Sequence, residues 1–361
     1  MSLRYGIVGA GMMGQEHIRN LALVSGADVV AVSDPDEGMR DQAAALAGAA
    51  TRAFDDHRAL IDAELCDAFV IAAPNDTHHA LLLDLIETGK PILCEKPLCT
   101  TSADCEDAIA VAAAHGTPVW VAMEYRYMPP LQRLLTEVRA ERGGVARMMS
   151  IREHRFPFLG KVGDWNRFNA RTGGTLVEKC CHFWDLMRLV LASDPVRVYA
   201  SAGIDENHLD ERYDGSTPDI IDNAYVIVDF ANGARAMLDL CMFAEGSRWQ
   251  EIVAVTGAKG RVEARIPGPL RFARGDHPPA EFSIGDRLTG HETTETMAID
   301  PTLLHAGDHH GSTYYQHLRF KAMIERGDGV CEVSLEDGLW AVRVGEAAER
   351  SAREGVAIPL V

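Results

Sequence analysis

The chain has 361 residues, of which 47% are hydrophobic and 24% are charged, and its formal net charge is −18. This length favours two packed units, and the composition is that of an ordinary folded protein. The excess of acidic side chains argues against binding to nucleic acid or to an anionic membrane, so the expected partner is a small molecule.

The first predicted element is an apolar strand that leads into a glycine-rich turn. Residues 3–8 form the strand, and a helix follows the turn as far as Leu23. The turn has the pattern G-x-G-x-x-G, which predicts dinucleotide binding: the first glycine permits the tight turn, the second lets the backbone approach a pyrophosphate, and the third lets the helix pack closely. Amides at the start of the helix would bind the phosphates. The residues concerned are Gly9, Gly11, Met12, Met13 and Gly14.

A second apolar strand, residues 28–33, ends in Asp34. A carboxylate at this place accepts hydrogen bonds from the ribose hydroxyls of NAD and repels the 2′-phosphate of NADP. We therefore expect NAD rather than NADP as the cofactor, with Arg40 as the one nearby cation that would weaken this discrimination. The alternative is that Asp34 caps the helix that follows.

Strands and helices continue to alternate in the first third of the chain. Helices are predicted near residues 43–47, 60 and 80–88, and strands at residues 68–72 and 92–94. This alternation predicts a doubly wound parallel sheet, a Rossmann domain over residues 1–124, and an α/β fold class. The loops after the strands should face the ligand, and they include Pro74-Asn75 and Glu95-Lys96-Pro97.

These features together resemble the Gfo/Idh/MocA family of glucose-fructose oxidoreductase, inositol dehydrogenase and rhizopine-catabolism relatives. The likeness rests on the glycine turn, an A-A-P-N-x-x-H loop, Glu95-Lys96-Pro97 after a buried strand, and the closing helix at residues 333–355. The family pattern G-G-x-L-x-D-x-G-x-H-x-x-D is matched by Gly173, Gly174, Leu176, Glu178, His182 and Asp185. Two positions depart from that pattern, because Glu178 replaces the usual aspartate and Cys180 the usual glycine.

The resemblance implies an NAD-dependent oxidoreductase that acts on a secondary alcohol or carbonyl of a sugar or cyclitol. It assigns catalytic roles to Lys96, Glu178 and His182. It also implies which side chains lie beside the cofactor, namely Pro74, Asn75, His78, Glu95 and Lys96. Tyr125 and Arg126 open the second domain, residues 125–361, and we expect them to contact the substrate.

Residues 173–191 are predicted to form a single helix that carries Glu178, His182 and two adjacent cysteines. On a helical wheel, Glu178, His182 and Asp185 share one arc, and the cysteines do not both point with the histidine. Fewer than three ligands converge, so no metal site is expected; the polar arc could instead face water. Beside a dinucleotide, however, His182 suits the role of base and Glu178 that of tuning it.

Lys96 is expected to donate a hydrogen bond to the reacting oxygen and to stabilise its developing negative charge. Confinement is expected to lower the pKa of this lysine. The alternative is an ordinary surface lysine ahead of a turn-forming proline.

The second domain is predicted to be an α+β unit with a large, mainly antiparallel sheet. Half-buried strands are predicted at residues 148–153, 196–201, 222–230, 234–240 and 251–256, with Asn232-Gly233 as a hairpin turn. Residues 268–302 show little periodicity and are predicted to form an exposed excursion. One face of the sheet would cover the cofactor, and the other could join copies of the chain, so the resemblance implies a homodimer or homotetramer.

Two loops offer further candidates for contacts with the substrate. Residues 154–169 combine aromatic, cationic and amide groups, as sugar pockets do, and provide Trp165, Asn166 and Arg167. The stretch GDHHGSTYYQHLRF adds His309 and Tyr314, which could reach the pocket or simply begin a helix; a metal site at these histidines is a lesser alternative.

The compartment is predicted from what the sequence lacks. The first residues run directly into a strand, and no apolar run reaches ~18 residues, so neither a secretory segment nor a membrane span is expected. Eight cysteines without a C-x-x-C pair are typical of reduced thiols in the cytoplasm.

Three functions compete for this chain. The leading one is an NAD-dependent dehydrogenase of a sugar or inositol-like polyol. The second is a glycosidase-like relative that oxidises its substrate transiently with bound NAD and then returns the hydride. The third is a non-catalytic sensor of NAD and sugar, against which the presence of both Lys96 and His182 argues.

Overall fold

A computed structural model of the chain describes residues 2–272 and 277–360. Its first part alternates strands and helices: β1 (Leu3–Val8), α1 (Met12–Leu21), β2 (Ala27–Ser33), α2 (Glu37–Ala47), β3 (Arg52–Phe54), α3 (His57–Asp62), β4 (Ala68–Ile71), α4 (His78–Ile86), β5 (Ile92–Cys94), α5 (Ser102–His115) and β6 (Val119–Val121). The strands lie in the order β3-β2-β1-β4-β5-β6, and every pair is parallel. The predicted doubly wound sheet is confirmed.

The local sequence explains these elements. Every residue of β4 and β5 is buried, as expected for short apolar strands that helices cover on both faces. The cap of α2 is Asp36, whose side chain accepts a hydrogen bond from the Met39 amide at 2.8 Å. The proposed capping role of Asp34 is therefore wrong, because Asp36 already fills that position.

The second part of the chain builds a sheet of nine strands. Its elements are α6 (Pro129–Arg139), β7 (Ala146–His154), α7 (Asn169–Thr172), α8 (Thr175–Glu178), α9 (Cys181–Leu191), β8 (Pro195–Gly203), β9 (Asn223–Phe230), β10 (Arg235–Cys241), β11 (Glu251–Gly257), β12 (Gly260–Ile266), β13 (Ala280–Asp286), β14 (Glu292–Met297), α10 (Pro301–Ala306), α11 (Ser312–Arg326), α12 (Leu335–Glu354) and β15 (Ile358–Pro359). The order is β14-β13-β12-β11-β7-β10-β9-β8-β15. Only β7 and β10 pair in parallel, so the sheet is mainly antiparallel, as predicted.

The stretch at residues 268–302 differs from the prediction. It contributes β13 and β14 to the edge of the sheet, although residues 273–276 lie outside the described ranges. Nearly every side chain of β14, ETTETM, is exposed, so this strand carries no apolar alternation that could reveal it. The expectation of an exposed excursion was wrong for the backbone, which pairs with the sheet.

The two faces of the large sheet differ. On one face α12 packs against β8 and α9 packs against β7. On the other face a row of apolar side chains crosses three strands, because Tyr199 pairs with Ile227 and Ile227 pairs with Met237. All three are exposed, as is Tyr225 on the same strand as Ile227.

The last two helices return to the first sheet. Phe320 of α11 packs against the rings of Tyr5 and Trp120, with centroids 6.4 and 6.1 Å apart. Helix α12 packs against α5 and β6, and the Val121 amide donates a hydrogen bond to the Val333 carbonyl just before this helix. In the described ranges, no helix is both long enough and apolar enough to cross a membrane.

Candidate active site

Two cavities meet at the carboxyl edge of the six-stranded sheet. The large cavity has a volume of about 850 Å³ and is lined among others by Gly9, Gly11, Asp34, Pro74, Asn75 and Glu95. The small cavity has a volume of about 110 Å³ and is lined among others by Glu124, Tyr125, Asn166, Glu178, His182 and His309. Four of the described residues line both cavities: Met12, Met13, Lys96 and Lys161.

The glycine turn has the geometry of a phosphate cradle. Gly9 has a φ of +94°, and a Cβ there would lie 2.5 Å from the backbone of Ala72 on the neighbouring loop. A Cβ on Gly14 would lie 2.1 Å from the Gly9 carbonyl oxygen, so only glycine lets α1 pack this closely. A Cβ on Gly11 would meet nothing within 4 Å. Gly11 thus borders open space, which fits a pyrophosphate at the start of a helix.

Asp34 lies at the carboxyl end of β2, on the wall of the large cavity. Its carboxylate accepts hydrogen bonds from the Ala10 amide at 2.7 Å and the Asp36 amide at 2.9 Å. The guanidinium of Arg40 donates to the Asp34 carbonyl at 2.8 Å. The carboxylate is therefore fixed by the backbone at the rim, in a position that fits a ribose diol.

His78 was predicted to lie beside the cofactor, and the structure places it elsewhere. Pro74, Asn75 and Glu95 line the large cavity, but His78 does not. Its ring is fully buried and lies between the carbonyl oxygens of Pro97, at 2.8 Å, and Ala73, at 3.1 Å. His78 therefore ties together the two loops that form the wall.

The predicted single helix over residues 173–191 is broken in the structure. Helix α8 ends at Glu178 and α9 begins at Cys181, because the Cys180 amide donates to the Thr175 carbonyl and thereby widens the turn. Glu178 and His182 nevertheless both line the small cavity. Their side chains are buried, so the alternative that this polar arc faces water is wrong.

Lys96 lies between the two cavities, and its ammonium donates a hydrogen bond to the Glu178 carbonyl at 3.3 Å. Burial by itself lowers the pKa of Lys96. Negative charge on Cys181, which appears only when its thiol ionises at alkaline pH, and on the Glu95 and Glu178 carboxylates outweighs burial, so the net pKa is raised. The predicted lowering is therefore wrong, and Lys96 stays an ammonium at neutral pH.

His182 is held in the opposite protonation state. Its ring stacks on Tyr125, with centroids 4.1 Å apart and an interplanar angle of 7°. Burial, followed by the nearby charge of Lys96, holds the pKa of His182 well below its usual value, so the imidazole is neutral. Its Nδ1 is buried and has no hydrogen-bond partner among the residues described. A neutral imidazole with a free nitrogen can accept a proton.

Glu178 supplies an acceptor beside these two groups. Its side chain is 4% exposed, and Oε1 lies 3.6 Å from the Lys161 ammonium. The other oxygen, Oε2, is buried and has no hydrogen-bond partner within the described part of the chain. An unpaired buried carboxylate oxygen is costly unless a ligand supplies the missing donor, so Oε2 suits a substrate hydroxyl.

His309 also lines the small cavity. Its Nδ1 lies 3.1 Å from carboxylate oxygens of both Glu16 and Glu124. Burial opposes the charge on this ring, but the two carboxylates raise the pKa of His309 to about 9. In the described ranges these three residues form the one group whose ligand atoms could hold a metal ion, and here the imidazolium lies between the carboxylates.

Comparison with known proteins identifies the family. Residues 3–123 match the oxidoreductase family model with an NAD-binding Rossmann fold, and residues 141–360 match the α/β C-terminal domain of the same family. The chain belongs to the Gfo/Idh/MocA oxidoreductase family. The family has an NAD-binding Rossmann fold, and the cradle around Gly11 and the carboxylate of Asp34 in the large cavity fit that cofactor.

Several relatives span this Gfo/Idh/MocA chain. Inositol 2-dehydrogenase 2 of Saccharopolyspora erythraea is 31% identical over 273 residues, which are 75% of each chain. The inositol 2-dehydrogenase of Rhizobium meliloti is 27% identical over 354 residues, which are 98% of each chain. An oxidoreductase from Agrobacterium radiobacter, solved with NAD⁺, L-tartaric acid and magnesium, has the same fold, with a TM-score of 0.81, 18% identity and coverage of 99% of this chain and 98% of that one.

Three predicted substrate contacts of this family member lie elsewhere. Arg126 is buried and binds both oxygens of Asp185 at 2.7 and 2.5 Å, so its donors are occupied by an internal ion pair. Arg167 donates to Glu211 at 2.8 Å and lines neither cavity. Tyr314 lies half-buried on α11 and packs against Tyr315. The other predicted contacts line a cavity: Tyr125, Asn166 and His309 the small one and Trp165 the large one.

The sequence analysis missed several polar residues of the site. Lys161 comes from the same loop as Trp165, whose cationic and aromatic composition was a usable signal. Lys179 donates to the Tyr125 hydroxyl at 2.7 Å and pairs with Glu153 at 2.9 Å. Glu251 also lines the small cavity, and burial raises its pKa to about 8. No local pattern marks Lys179 or Glu251, because only the fold brings the turn after α8 and the start of β11 to the same cavity.

Proposed function

We propose that this oxidoreductase transfers hydride between a CH–OH group of a sugar or inositol-like polyol and NAD. The proposal is carried by the meeting of the two cavities at Lys96, where a charged ammonium and the neutral His182 border one space. The names of the inositol 2-dehydrogenase relatives support the substrate class.

Bound NAD⁺ would accept the hydride that leaves the alcohol carbon. His182 accepts the hydroxyl proton as the carbonyl forms, since its Nδ1 is free and its ring is unprotonated. Lys96 donates a hydrogen bond to the same oxygen and stabilises the negative charge that develops there. Glu178 accepts a hydrogen bond from a second hydroxyl through Oε2, which orients the ring of the substrate.

The test is NADH formation by the purified protein with NAD and a panel of inositols, aldoses and aryl glycosides. We expect turnover of a polyol, lowered about 10²- to 10³-fold in Lys96→Met and about 10²- to 10⁴-fold in His182→Asn. NAD binding, followed by calorimetry, should change less than about threefold in His182→Asn, which lies outside the large cavity. His291→Asn, in the exposed turn between β13 and β14, is the matched control.

Two results would contradict the proposal. Unchanged turnover in both variants would remove Lys96 and His182 from the reaction. Release of an aglycone without net NADH would instead support the glycosidase-like alternative, and NAD binding without any turnover across the panel would support the sensor.

We also propose that the exposed face of the nine-stranded sheet joins copies of the chain into a dimer or tetramer. The row Tyr199, Ile227 and Met237 places contiguous apolar side chains on a regular surface, with Tyr225 beside it. Light scattering after gel filtration should show an oligomer for the wild type and a smaller species for Ile227→Lys. A monomeric wild type would refute this assembly.

The cytoplasm is the proposed compartment. All eight cysteines are free thiols in the structure, and six of them are buried. Free thiols suit a reducing compartment. Cell fractionation that recovers the protein outside the cytoplasm would contradict this proposal.

A further inference from the structure

Lys161 stands at the junction of the two cavities, in the loop that follows β7. Apart from Lys96, it is the one lysine in the described ranges that lines both cavities. Its ammonium lies 4.4 Å from the centre of the Trp165 ring and 3.6 Å from Oε1 of Glu178. Its side chain is only 24% exposed.

Two contacts hold the ammonium of Lys161 in place, one with the Trp165 ring and one with Glu178. A buried ammonium loses hydration, and burial together with the charge of Lys96 lowers its pKa. The indole face of Trp165 and the carboxylate of Glu178 offset part of that loss.

The same contacts fix the orientation of Glu178. Because Oε1 faces the ammonium of Lys161, the other oxygen is turned away from it, and that oxygen is the buried, unpaired Oε2. The carbonyl of Glu178 is held in addition by Lys96. Lys96 therefore contacts the backbone of this residue and Lys161 lies beside its Oε1, whereas Oε2 has no hydrogen-bond partner in the described ranges.

We propose that Lys161 is a positioning residue that turns Oε2 of Glu178 toward a substrate hydroxyl next to the reacting CH–OH group. The preferred substrates are then vicinal diols, and a polyol that lacks this neighbouring hydroxyl is a poor substrate. This inference rests on the proposed dehydrogenase function, because it assigns a second hydroxyl to the same site.

The experiment compares myo-inositol with 1,3-dideoxy-myo-inositol, which lacks the neighbouring hydroxyl on either side of C2, in wild type, Lys161→Met, Lys161→Arg, Glu178→Gln and the double variant Lys161→Met/Glu178→Gln. In the wild type we expect the missing hydroxyl to lower kcat/KM by about 10- to 100-fold, as for one hydrogen bond to a charged group. Lys161→Met should lose about 10-fold on myo-inositol and much less on the deoxy compound, while Lys161→Arg keeps most of the preference. The double variant should be no worse than Glu178→Gln. Lys259→Met, in an exposed turn, is the control.

Two results would overturn the inference while the proposed function stands. One is an equal loss on both compounds in Lys161→Met; the other is losses that add in the double variant. A crystal structure of Lys161→Met gives a readout that does not depend on turnover. We expect the Glu178 carboxylate to rotate, and an unchanged carboxylate refutes the positioning role. A wild type inactive on every polyol, with a rotated carboxylate, would instead refute the proposed function alone.

Discussion

Replacement of Arg126 by methionine tests whether this residue binds substrate, as its sequence suggested, or holds the fold. In the structure its guanidinium donates to both oxygens of Asp185 and to the Glu332 carbonyl at 2.9 Å. The side chains of Arg126 and Asp185 are 9% and 2% exposed. Arg126→Met therefore leaves a buried carboxylate without its cation.

The expected cost is about 3–5 kcal/mol in the free energy of unfolding at neutral pH, which is typical when one partner of a buried ion pair is removed. The Coulomb energy of two charges about 4 Å apart at an effective dielectric of about 20 is similar, about 4 kcal/mol. Burial already raises the pKa of Asp185, and only its cationic neighbours oppose this. Without Arg126 the carboxyl group takes up a proton more readily, so the cost should shrink as the pH falls.

Urea unfolding followed by circular dichroism, at one protein concentration and at two pH values, measures this loss. Arg197→Met is the matched control, because the Arg197–Asp229 pair is exposed and should contribute less than about 1 kcal/mol. The reasoning is refuted if Arg126→Met keeps wild-type stability and instead raises KM for the polyol. That outcome would restore the prediction that Arg126 contacts substrate.

Three further predictions concern the glycine turn, Asp34 and His309. Gly11→Ala should weaken NAD binding at least ~10-fold without loss of stability, because its methyl group enters the open cavity. Gly14→Ala should also lower the melting temperature, because its Cβ would clash with the Gly9 carbonyl oxygen. Equal melting temperatures for the two variants would contradict this clash. Asp34→Ser should raise the ratio of kcat/KM for NADP over NAD, since the repulsion of a 2′-phosphate is lost; an unchanged ratio argues against this role. The pKa of His309 is raised to about 9 in the folded protein, so protonation of this ring stabilises the fold. This stabilisation is complete below the unfolded pKa of ~6.5 and is lost as the pH rises through 9. Wild-type unfolding free energy should fall by up to about 3 kcal/mol across that range, and His309→Gln should flatten the curve.

The first sheet could be predicted from the sequence because its signals are local. A glycine turn after an apolar strand, and apolar runs such as β4 and β5, need no tertiary information. The edge of the second sheet lacked such signals. Strand β14 has no apolar face, so only its pairing with β13 defines it.

The sequence predicted those residues of the site that belong to a recognisable motif. Gly9, Gly11 and Asp34 line the large cavity, and Glu178 and His182 line the small one, each at a position that a pattern marked. The sequence did not predict the residues from other elements that contact these side chains. The clearest case is the cluster at His309, whose carboxylates come from α1 and from the turn after β6.

The other incorrect predictions also depend on tertiary contacts. Arg126 was expected to contact the substrate because of the family resemblance, and Arg167 because a loop with aromatic and cationic residues suits a sugar pocket. Packing decides which acidic group a guanidinium contacts. Arg126 pairs with Asp185, and Arg167 pairs with Glu211. The break after Glu178 coincides with the hydrogen bond from the Cys180 amide to the Thr175 carbonyl, which no helix propensity indicates.

The return of α11 and α12 to the first sheet has a consequence for the growing polypeptide. A ribosome releases the dinucleotide-binding strands first, yet Phe320 covers Tyr5 and Trp120, and Val333 receives the amide of Val121. A nascent chain that has emerged only to about residue 130 would leave these aromatic rings in water. The core of the part that is synthesised earliest therefore closes only after Phe320 and Val333 have been added to the chain.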